Sequence, residues 1–302
     1  MNQTLTAVAG IKVGHWTDLE ARTGCTVILC PEEGCVASAF VLGGSPGSRE
    51  LALLEPEKTV QKIHALLLTG GSAFGLAAAT GVVDWLEQKG IGLQTPACPV
   101  PIVPAAVIFD LMNGNPKRRP GAEEGFLAAD SASAEPHATG QVGAGSGALI
   151  GKYLGFEHAA KGGLGAAVMR VGEATVAALS VSNAVGDIYE DGVLVAGSSS
   201  PFRERAQENL PGLFVQAGTN TTLVAVATDA ILTKAEAKAL AQSAHIGIAT
   251  VTRPSHTIHD GDTSFVLSTG AVTPPPMMAL GIAVQQVVAK ALIQGVREAN
   301  KS

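Results

Sequence analysis

Apolar and polar positions alternate or cluster along this chain in a way that separates strands from helices. Thr26-Val27-Ile28-Leu29, Val36-Ala37-Ser38-Ala39-Phe40-Val41 and His64-Ala65-Leu66-Leu67-Leu68 are short, β-branched or leucine-rich runs bounded by Gly, Pro or acidic residues. They read as strands, with Gly24 and Cys25 opening the first. Gly14-His15-Trp16-Thr17-Asp18 reads as a turn, and Gly43-Gly44-Ser45-Pro46-Gly47-Ser48 as a loop. A helix is expected from about Ala73 to Lys89, with Gly90 as its left-handed stop. Val103 to Phe109 is a further apolar strand whose start Pro101 and Pro104 blunt.

Residues 113–147 are rich in Gly, Pro and Ser, with room for one helix near Glu123–Ser131. Strands follow at Ala166–Val171 and Thr175–Asn183, then an exposed connector at 196–219. Leu223-Val224-Ala225-Val226-Ala227-Thr228 is a continuous apolar run, expected as a buried strand. After it come a helix at 233–244, strands at 246–251 and 264–267, the break Pro274-Pro275-Pro276, and a closing helix at about 277–297. That helix repeats apolar residues at Ile282, Val287 and Leu292 and is apolar over much of its circumference, so it should pack on two sides. Strands arrive in runs with helices between them. This predicts an α+β fold of two stacked sheets covered by helices, without the strict alternation of a doubly wound sheet. No internal repeat is visible.

Composition sharpens the picture. Aromatic residues make up 4% and charged residues 15% of 302 residues, and 36 are glycine. Small side chains must therefore build the core, which requires close approach between layers. Mean hydropathy is +0.29. The apolar runs read as broken before the roughly 20 residues a bilayer span needs, so no membrane association is expected. The apolar excess instead points to burial between subunits.

Net charge is −6, and the one basic cluster, Lys117-Arg118-Arg119, lies between prolines, which argues against nucleic acid. Cys25, Cys30, Cys35 and Cys98 have no zinc-ligand spacing and read as reduced packing residues of a cytoplasmic protein. No secretory signal pattern is seen at the N-terminus. No cofactor-binding motif stands out.

The candidate chemistry begins at Asn220-Thr221-Thr222, where a turn runs into the strand at 223–228. If the Asn220–Thr221 bond is cut, Thr221 gains an α-amine beside its own hydroxyl. That amine titrates near pH ~8 and can serve as the general base for the hydroxyl. A Thr at a strand start is also what β propensity alone would place there. His259-Asp260-Gly261-Asp262-Thr263 sets two carboxylates in one turn before a strand, able to orient or protonate that amine or simply to make an Asp-Gly turn.

Lys161-Gly162-Gly163-Leu164-Gly165 can bring a positive charge and open backbone N–H groups to a reaction centre, although it lacks P-loop order. Asn183, at a strand end, can donate to an oxyanion or form a turn. Gly70-Gly71-Ser72, before a helix, can supply backbone donors or be a plain turn. There is no G-x-S-x-G elbow. His15, His64, His137, His158 and His245 stand apart from one another, and only His256 and His259, three residues apart in a loop, leave a minor metal-site alternative.

An ordered set of motifs then resembles one family. It comprises Ile11-Lys12-Val13-Gly14-His15, Thr23-Gly24-Cys25-Thr26-Val27, Gly43-Gly44-Ser45-Pro46-Gly47 with Arg49-Glu50, and Leu68-Thr69-Gly70-Gly71-Ser72. It continues through Gly143-Ala144-Gly145, Lys161-Gly162-Gly163-Leu164-Gly165, Asn183-Ala184-Val185-Gly186, and Asn220-Thr221-Thr222 leading into Val226-Ala227-Thr228-Asp229-Ala230. Nearly end to end, the chain resembles the DmpA-type self-processing aminopeptidases, which include L-aminopeptidase/D-esterases, β-aminopeptidases and 6-aminohexanoate-oligomer hydrolases. Thr221 with the Asp-Gly-Asp pair looks nearer the oligomer hydrolases, since the aminopeptidase branch carries a Ser nucleophile.

The resemblance implies a four-layer αββα sandwich, similar to N-terminal-nucleophile hydrolases. One domain, 1–302, would be processed into an α chain of 1–220 and a β chain of 221–302, and these heterodimers would assemble further, as a tetramer. Thr221 would be the nucleophile, Asn183 part of the oxyanion site, Lys161 a neighbour of the nucleophile, and Asp260 and Asp262 the acidic pair. The substrate would be a short peptide or amide, with no cofactor or metal. Two other readings stay open: acyl transfer on a similar self-cleaving scaffold, as in ornithine acetyltransferases, and a non-catalytic binding or assembly protein.

Overall fold

The computed structural model describes residues 2–203 and 218–301. In chain order the strands are β1 (Lys12–Asp18), β2 (Thr23–Leu29), β3 (Cys35–Val41), β4 (Ser48–Arg49), β5 (Lys62–Ile63), β6 (Ala65–Thr69), β7 (Ala105–Val107) and β8 (Leu149–Ile150). They continue as β9 (Ala160–Lys161), β10 (Gly163–Val171), β11 (Ala174–Asn183), β12 (Asp187–Glu190), β13 (Val193–Ala196), β14 (Thr221–Ala230), β15 (Thr252–Arg253) and β16 (Thr263–Val272). The α-helices are α1 (Ala78–Gln88), α2 (Ala122–Asp130), α3 (Lys234–Val251) and α4 (Met277–Ala299).

Two sheets carry the fold, one ordered β1-β2-β6-β7-β4 and one ordered β10-β11-β14-β16-β3-β5. Period-two alternation on the strands then assigns the layers. On β14, Leu223, Ala225 and Ala227 face the other sheet, packing with Leu179, Phe265, Ile28 and Leu68. Val224 and Val226 point the other way, into Leu240, Ala244, Val284 and Val288 of α3 and α4. On the first sheet, Val27 and Leu67 meet Val82 and Ala128 of α1 and α2. The order is helix, sheet, sheet, helix: the αββα sandwich expected. Small residues make it possible. At Gly165 a Cβ would come within 1.9 Å of the Ala291 carbonyl oxygen, so α4 lies directly on β10.

Several elements differ from the sequence reading. Residues 14–18 are not a turn but the end of β1, paired with β2 through Thr17↔Gly24 and Asp18↔Thr23. The strand expected at 246–251 is the end of α3. Leu240, Ala241, Ala244, Ile248 and Val251 fall on one buried face at helical spacing, which outweighs the β-branched composition of the segment. The strand at 103–109 shrinks to Ala105–Val107. The helix at 73–89 begins as a 3₁₀ segment, Ser72–Ala77, before α1, and Gly90 follows with φ of 70°.

Helix α4 corrects the reading of the apolar runs, being long and apolar enough, by length and composition, to cross a membrane. Its Val284, Val287, Val288 and Leu292 are buried, and Ile282, expected in the apolar stripe, is half exposed. The 196–219 connector lies in large part outside the described residues.

Candidate active site

Two adjoining strands and one loop bring the candidate residues together. In the antiparallel β11–β14 pair Asn183 stands opposite Thr221. In the parallel β14–β16 pair Leu223 stands beside Thr263, so Asp260-Gly261-Asp262 enters next to Asn220-Thr221-Thr222. The loop Leu42–Ser45 braces that turn from outside: the N–H groups of Leu42 and Gly43 donate to the Asp262 carbonyl, and Ser45 N–H to the Asp260 carbonyl. Gly43 is required for the approach, because a Cβ there would lie 2.3 Å from the Asp260 carbonyl oxygen.

The Thr221 hydroxyl lies 2.5 Å from the carbonyl oxygen of Asn220. The same oxygen accepts the Gly261 N–H at 2.8 Å. Thr221 itself is 5% exposed. The N–H of Thr222 donates to Asp262 Oδ1 at 2.5 Å, which ties the carboxylate to the residue after the candidate nucleophile. The other oxygen of Asp262 accepts from His256 Nδ1 at 2.8 Å, and His256 Nε2 lies 3.0 Å from the His245 carbonyl. Both ring nitrogens thus face acceptors, an arrangement that suits the doubly protonated imidazolium. Burial alone would lower the His256 pKa; the hydrogen bond and charge of Asp262 outweigh it and raise it. Asp260 accepts from the Thr257 hydroxyl (2.6 Å), the Thr257 N–H (3.0 Å) and the Val185 N–H (3.3 Å). Burial and the neighbouring Asp262 raise its pKa despite those bonds.

The lysine of the cluster is Lys152, which sequence reasoning missed. It is 3% exposed, on a one-turn 3₁₀ segment, Lys152–Leu154. Its ammonium donates to the Asn183 carbonyl (2.8 Å), Asn183 Oδ1 (3.1 Å) and the Thr219 carbonyl (2.9 Å). Burial pushes its pKa down to about 7, against the opposing pull of Asp260, Asp262 and Asp110. Gly151 makes the approach possible, since at φ of 67° any Cβ would meet Ser198 N at 2.3 Å and Asp187 Oδ1 at 2.6 Å. Tyr153 donates its hydroxyl to Asp187 Oδ2 at 2.7 Å, and Ser198 N–H donates to Asp187 Oδ1 at 2.8 Å, which anchors the segment from both sides.

Lys161, expected beside the nucleophile, is exposed on β9 opposite Leu149. Among the described residues its ammonium takes no part in the bonds that join Thr221, Asn183 and the aspartates. Asn183 is brought to the centre, but in a different capacity: Oδ1 accepts from Lys152 and from the Leu149 N–H, and Nδ2 donates to the Phe109 carbonyl at 3.2 Å. One N–H remains for any oxyanion. The Gly70-Gly71-Ser72 donors are already engaged. Gly70 N–H goes to the Gly24 carbonyl, Ser72 N–H to the Ile108 carbonyl, and Gly71 N–H to Asp110 Oδ1. The turn therefore holds Asp110, which also accepts from the Thr23 hydroxyl, rather than an oxyanion.

Among the described residues no group of three or more His, Cys, Asp or Glu side chains could hold a metal ion. The His256 ring is occupied on both sides, which removes it from the loop's metal alternative.

Comparisons with known proteins meet this geometry from outside. The profile described as Peptidase family S58 matches residues 3–302. An uncharacterized aminopeptidase of Mycobacterium bovis is 38% identical, the match covering 98% of this chain and 94% of the relative. A 6-aminohexanoate-oligomer endohydrolase of Kocuria sp. is 30% identical over 88% of this chain and 75% of the relative. The solved structure of L-aminopeptidase D-Ala-esterase/amidase from Ochrobactrum anthropi, described as a variant of the Ntn hydrolase fold, superposes with a TM-score of 0.77 at 21% identity. That match covers 98% of this chain and 86% of the other.

Proposed function

The chain belongs to peptidase family S58, the DmpA family, and from that premise we propose that it is a self-processing amidohydrolase with Thr221 as nucleophile. Family membership makes it a hydrolase of peptide or amide bonds. The observation that carries the finer reading is the shared carbonyl oxygen of Asn220, reached by the Thr221 hydroxyl and by the Gly261 N–H at once.

In the first reaction the Thr221 hydroxyl oxygen bonds to the Asn220 carbonyl carbon and gives up its proton. Charge collects on the carbonyl oxygen, where the Gly261 N–H already points, an oxyanion donor formed by backbone alone. The C–N bond breaks, the departing nitrogen takes a proton, and Asn220 is left as an ester on Thr221. That nitrogen is the new Thr221 α-amine. Water then splits the ester into an Asn220 carboxylate and the restored Thr221 hydroxyl. Lys152, with its lowered pKa, is the candidate proton acceptor for the hydroxyl while that amine is still locked in a peptide bond. If the chain end after cleavage withdraws the Thr219 carbonyl, one N–H of Lys152 is released toward substrate while Asn183 still holds the other two.

In turnover, the Thr221 amine takes the hydroxyl proton as Oγ attacks a substrate amide carbonyl. The substrate amine leaves with a proton, and water hydrolyses the acyl-enzyme. Asp262, held by His256 and Thr222, and Asp260 set the charge around that amine. The substrates are short peptides or amide oligomers with a free amine, in keeping with the names of the relatives. Self-association of processed heterodimers is part of the reading, supported by Ile246, Met278 and Ile282 exposed on α3 and α4. So is a cytoplasmic location, which the free thiols suit.

Intact mass and a denaturing gel of purified protein test the first reaction: fragments of 1–220 and 221–302 are expected, and none from Thr221→Ala. A single full-length band after prolonged incubation would sink the proposal. Product analysis with and without an added amine separates hydrolysis from acyl transfer.

A further inference from the structure

Beside the buried cluster lies a pocket of about 440 Å³, lined by Arg22, Asn113, Ser146, Leu149, Phe156 and Lys161 among others. It adjoins the site on two sides. Leu149 gives its N–H to Asn183 Oδ1 at 3.0 Å, and the Phe156 ring centre lies 5.9 Å from the Lys152 ammonium. Its volume suits one small group rather than a folded polypeptide.

The charge on its wall is one-sided. Arg22 and Lys161 line it, and among the described residues no Asp or Glu does. Among the described residues neither cation has an ion-pair partner, although the protein as a whole is acidic. Arg22 is held in place rather than left to wander. Its backbone sits at φ of 52°, a region that non-glycine residues rarely occupy. Its guanidinium donates to Asn113 Oδ1 at 3.0 Å, and Asn113 Nδ2 in turn donates to the Gly147 carbonyl at 3.1 Å. Gly147 packs so closely on the Arg22 carbonyl that a Cβ there would lie 2.0 Å from its oxygen. Two cations without ion-pair partners, Arg22 held in place and Lys161 beside it, in a small pocket next to a reaction centre are a receptor for a carboxylate.

We propose that this pocket binds the free carboxylate at the end of a short linear substrate, so that the enzyme prefers amino-acid oligomers ending in a carboxylate over the same oligomers ending in an amide. In any linear peptide or ω-amino-acid oligomer that carboxylate lies on the leaving-amine side of the scissile bond. Arg22 and Lys161 therefore select the leaving portion, while Thr221 and its neighbours act on the amide. The proposal rests on the amidohydrolase reading and adds a substrate class to it.

Two measurements on the processed enzyme test it. The first is KM for the linear 6-aminohexanoate dimer and for its C-terminal amide. The wild type should favour the acid about tenfold, the discrimination expected from one charge-assisted contact in partial solvent. The Arg22→Gln/Lys161→Gln double variant should bring the ratio to parity; both side chains are exposed, so folding is not at stake. The second is calorimetric titration with 6-aminohexanoate and with 6-aminohexanamide, which needs no turnover. The acid should bind about tenfold more tightly to the wild type and equally to the variant. Equal binding of acid and amide by the wild type, or a ratio unmoved in the variant, overturns the carboxylate pocket. Absence of hydrolysis together with carboxylate-selective binding would instead overturn the amidohydrolase reading and leave the pocket standing.

Discussion

The N–H of Gly261 donates to the carbonyl oxygen of Asn220 at 2.8 Å, between two aspartates whose carboxylates serve other partners. A residue without a side chain thus shares this carbonyl with the Thr221 hydroxyl, at the bond proposed to be cut. A Cβ at Gly261 would lie 2.8 Å from Thr221 Oγ and 2.7 Å from the Ser45 carbonyl oxygen, inside ordinary contact distance. Gly261→Ala should therefore tilt the N–H off the carbonyl and crowd the hydroxyl. Self-cleavage is expected to slow by about 10²-fold or more, the loss typical of one oxyanion donor. Gel densitometry over time measures it, and circular dichroism should show a folded precursor.

Lys152 gives the processing reaction a pH dependence of definite sign. With its pKa pushed down to about 7, it becomes a base as pH rises through that value. The cleavage rate of freshly made precursor should climb from pH 6 to 8 and then level off. Lys152→Met should slow cleavage by ~10²–10⁴ and remove the climb, as expected for a lost general base. Stability should carry the same signature. An unfolded lysine titrates near ~10.4, so between about pH 7 and that value the unfolded chain binds the extra proton and the native state gains stability with pH. Denaturant melts of the two proteins across this window should diverge.

The His256–Asp262 pair runs in the opposite direction. Its stabilisation is fully present below the ordinary histidine pKa near ~6.5 and is lost as pH rises through the raised native value. The His256 ring resonances, followed by NMR in the processed protein, should titrate above an ordinary histidine. In Asp262→Asn they should titrate lower, because burial would then act without the carboxylate. A His256 titration unmoved by that change would mean the pair is not coupled.

Asp260→Asn and Asp262→Asn should each reduce turnover of a short amide by ~10²–10⁴; above the raised His256 pKa, where the His256–Asp262 pair no longer stabilises, the melting temperature should shift little. Asp262 offers an oxygen to the Thr222 N–H, and the amide can still do so with its own oxygen. Near-wild-type rates in both variants would reduce the pair to a strand-capping turn.

Much of this was legible in the sequence, and the parts that were not have physical reasons. The run 223–228 announced a buried strand, and the small residues announced layers in close contact. The Thr221 and Asp-Gly-Asp motifs were visible because each sits at a strand end, where local pattern and topology coincide. Lys152 was not visible. It lies in Gly151-Lys152-Tyr153-Leu154-Gly155, and nothing local to that segment says that Val185 and Asn183 will close over it. A lone lysine between glycines in apolar company is the signal it carries, weaker than the glycine run that follows Lys161. The strand expected at 246–251 failed for a related reason: β-branched residues there obey the spacing of a helix already begun by the Thr233 cap. The Gly70-Gly71-Ser72 donors failed because a motif shows which N–H groups exist, not that Gly24, Ile108 and Asp110 will claim them.

The sheet order β10-β11-β14-β16-β3-β5 has a consequence for what would remain after the proposed cleavage. Strands β14 and β16 belong to the segment after Thr221, and those on either side belong to the segment before it. The smaller piece is therefore a wedge set into the middle of the larger one, and it also carries α3 and α4, the helices that cover that sheet. Cutting the backbone severs the covalent thread but leaves the hydrogen-bonded ladders on both flanks intact. The two pieces should melt as one body, and neither, made alone, could complete this six-stranded sheet. A gene split at residue 220 would have to rely on both products meeting before either collapsed, so the chain would need its continuity for assembly even if the proposed cleavage gives it up for use.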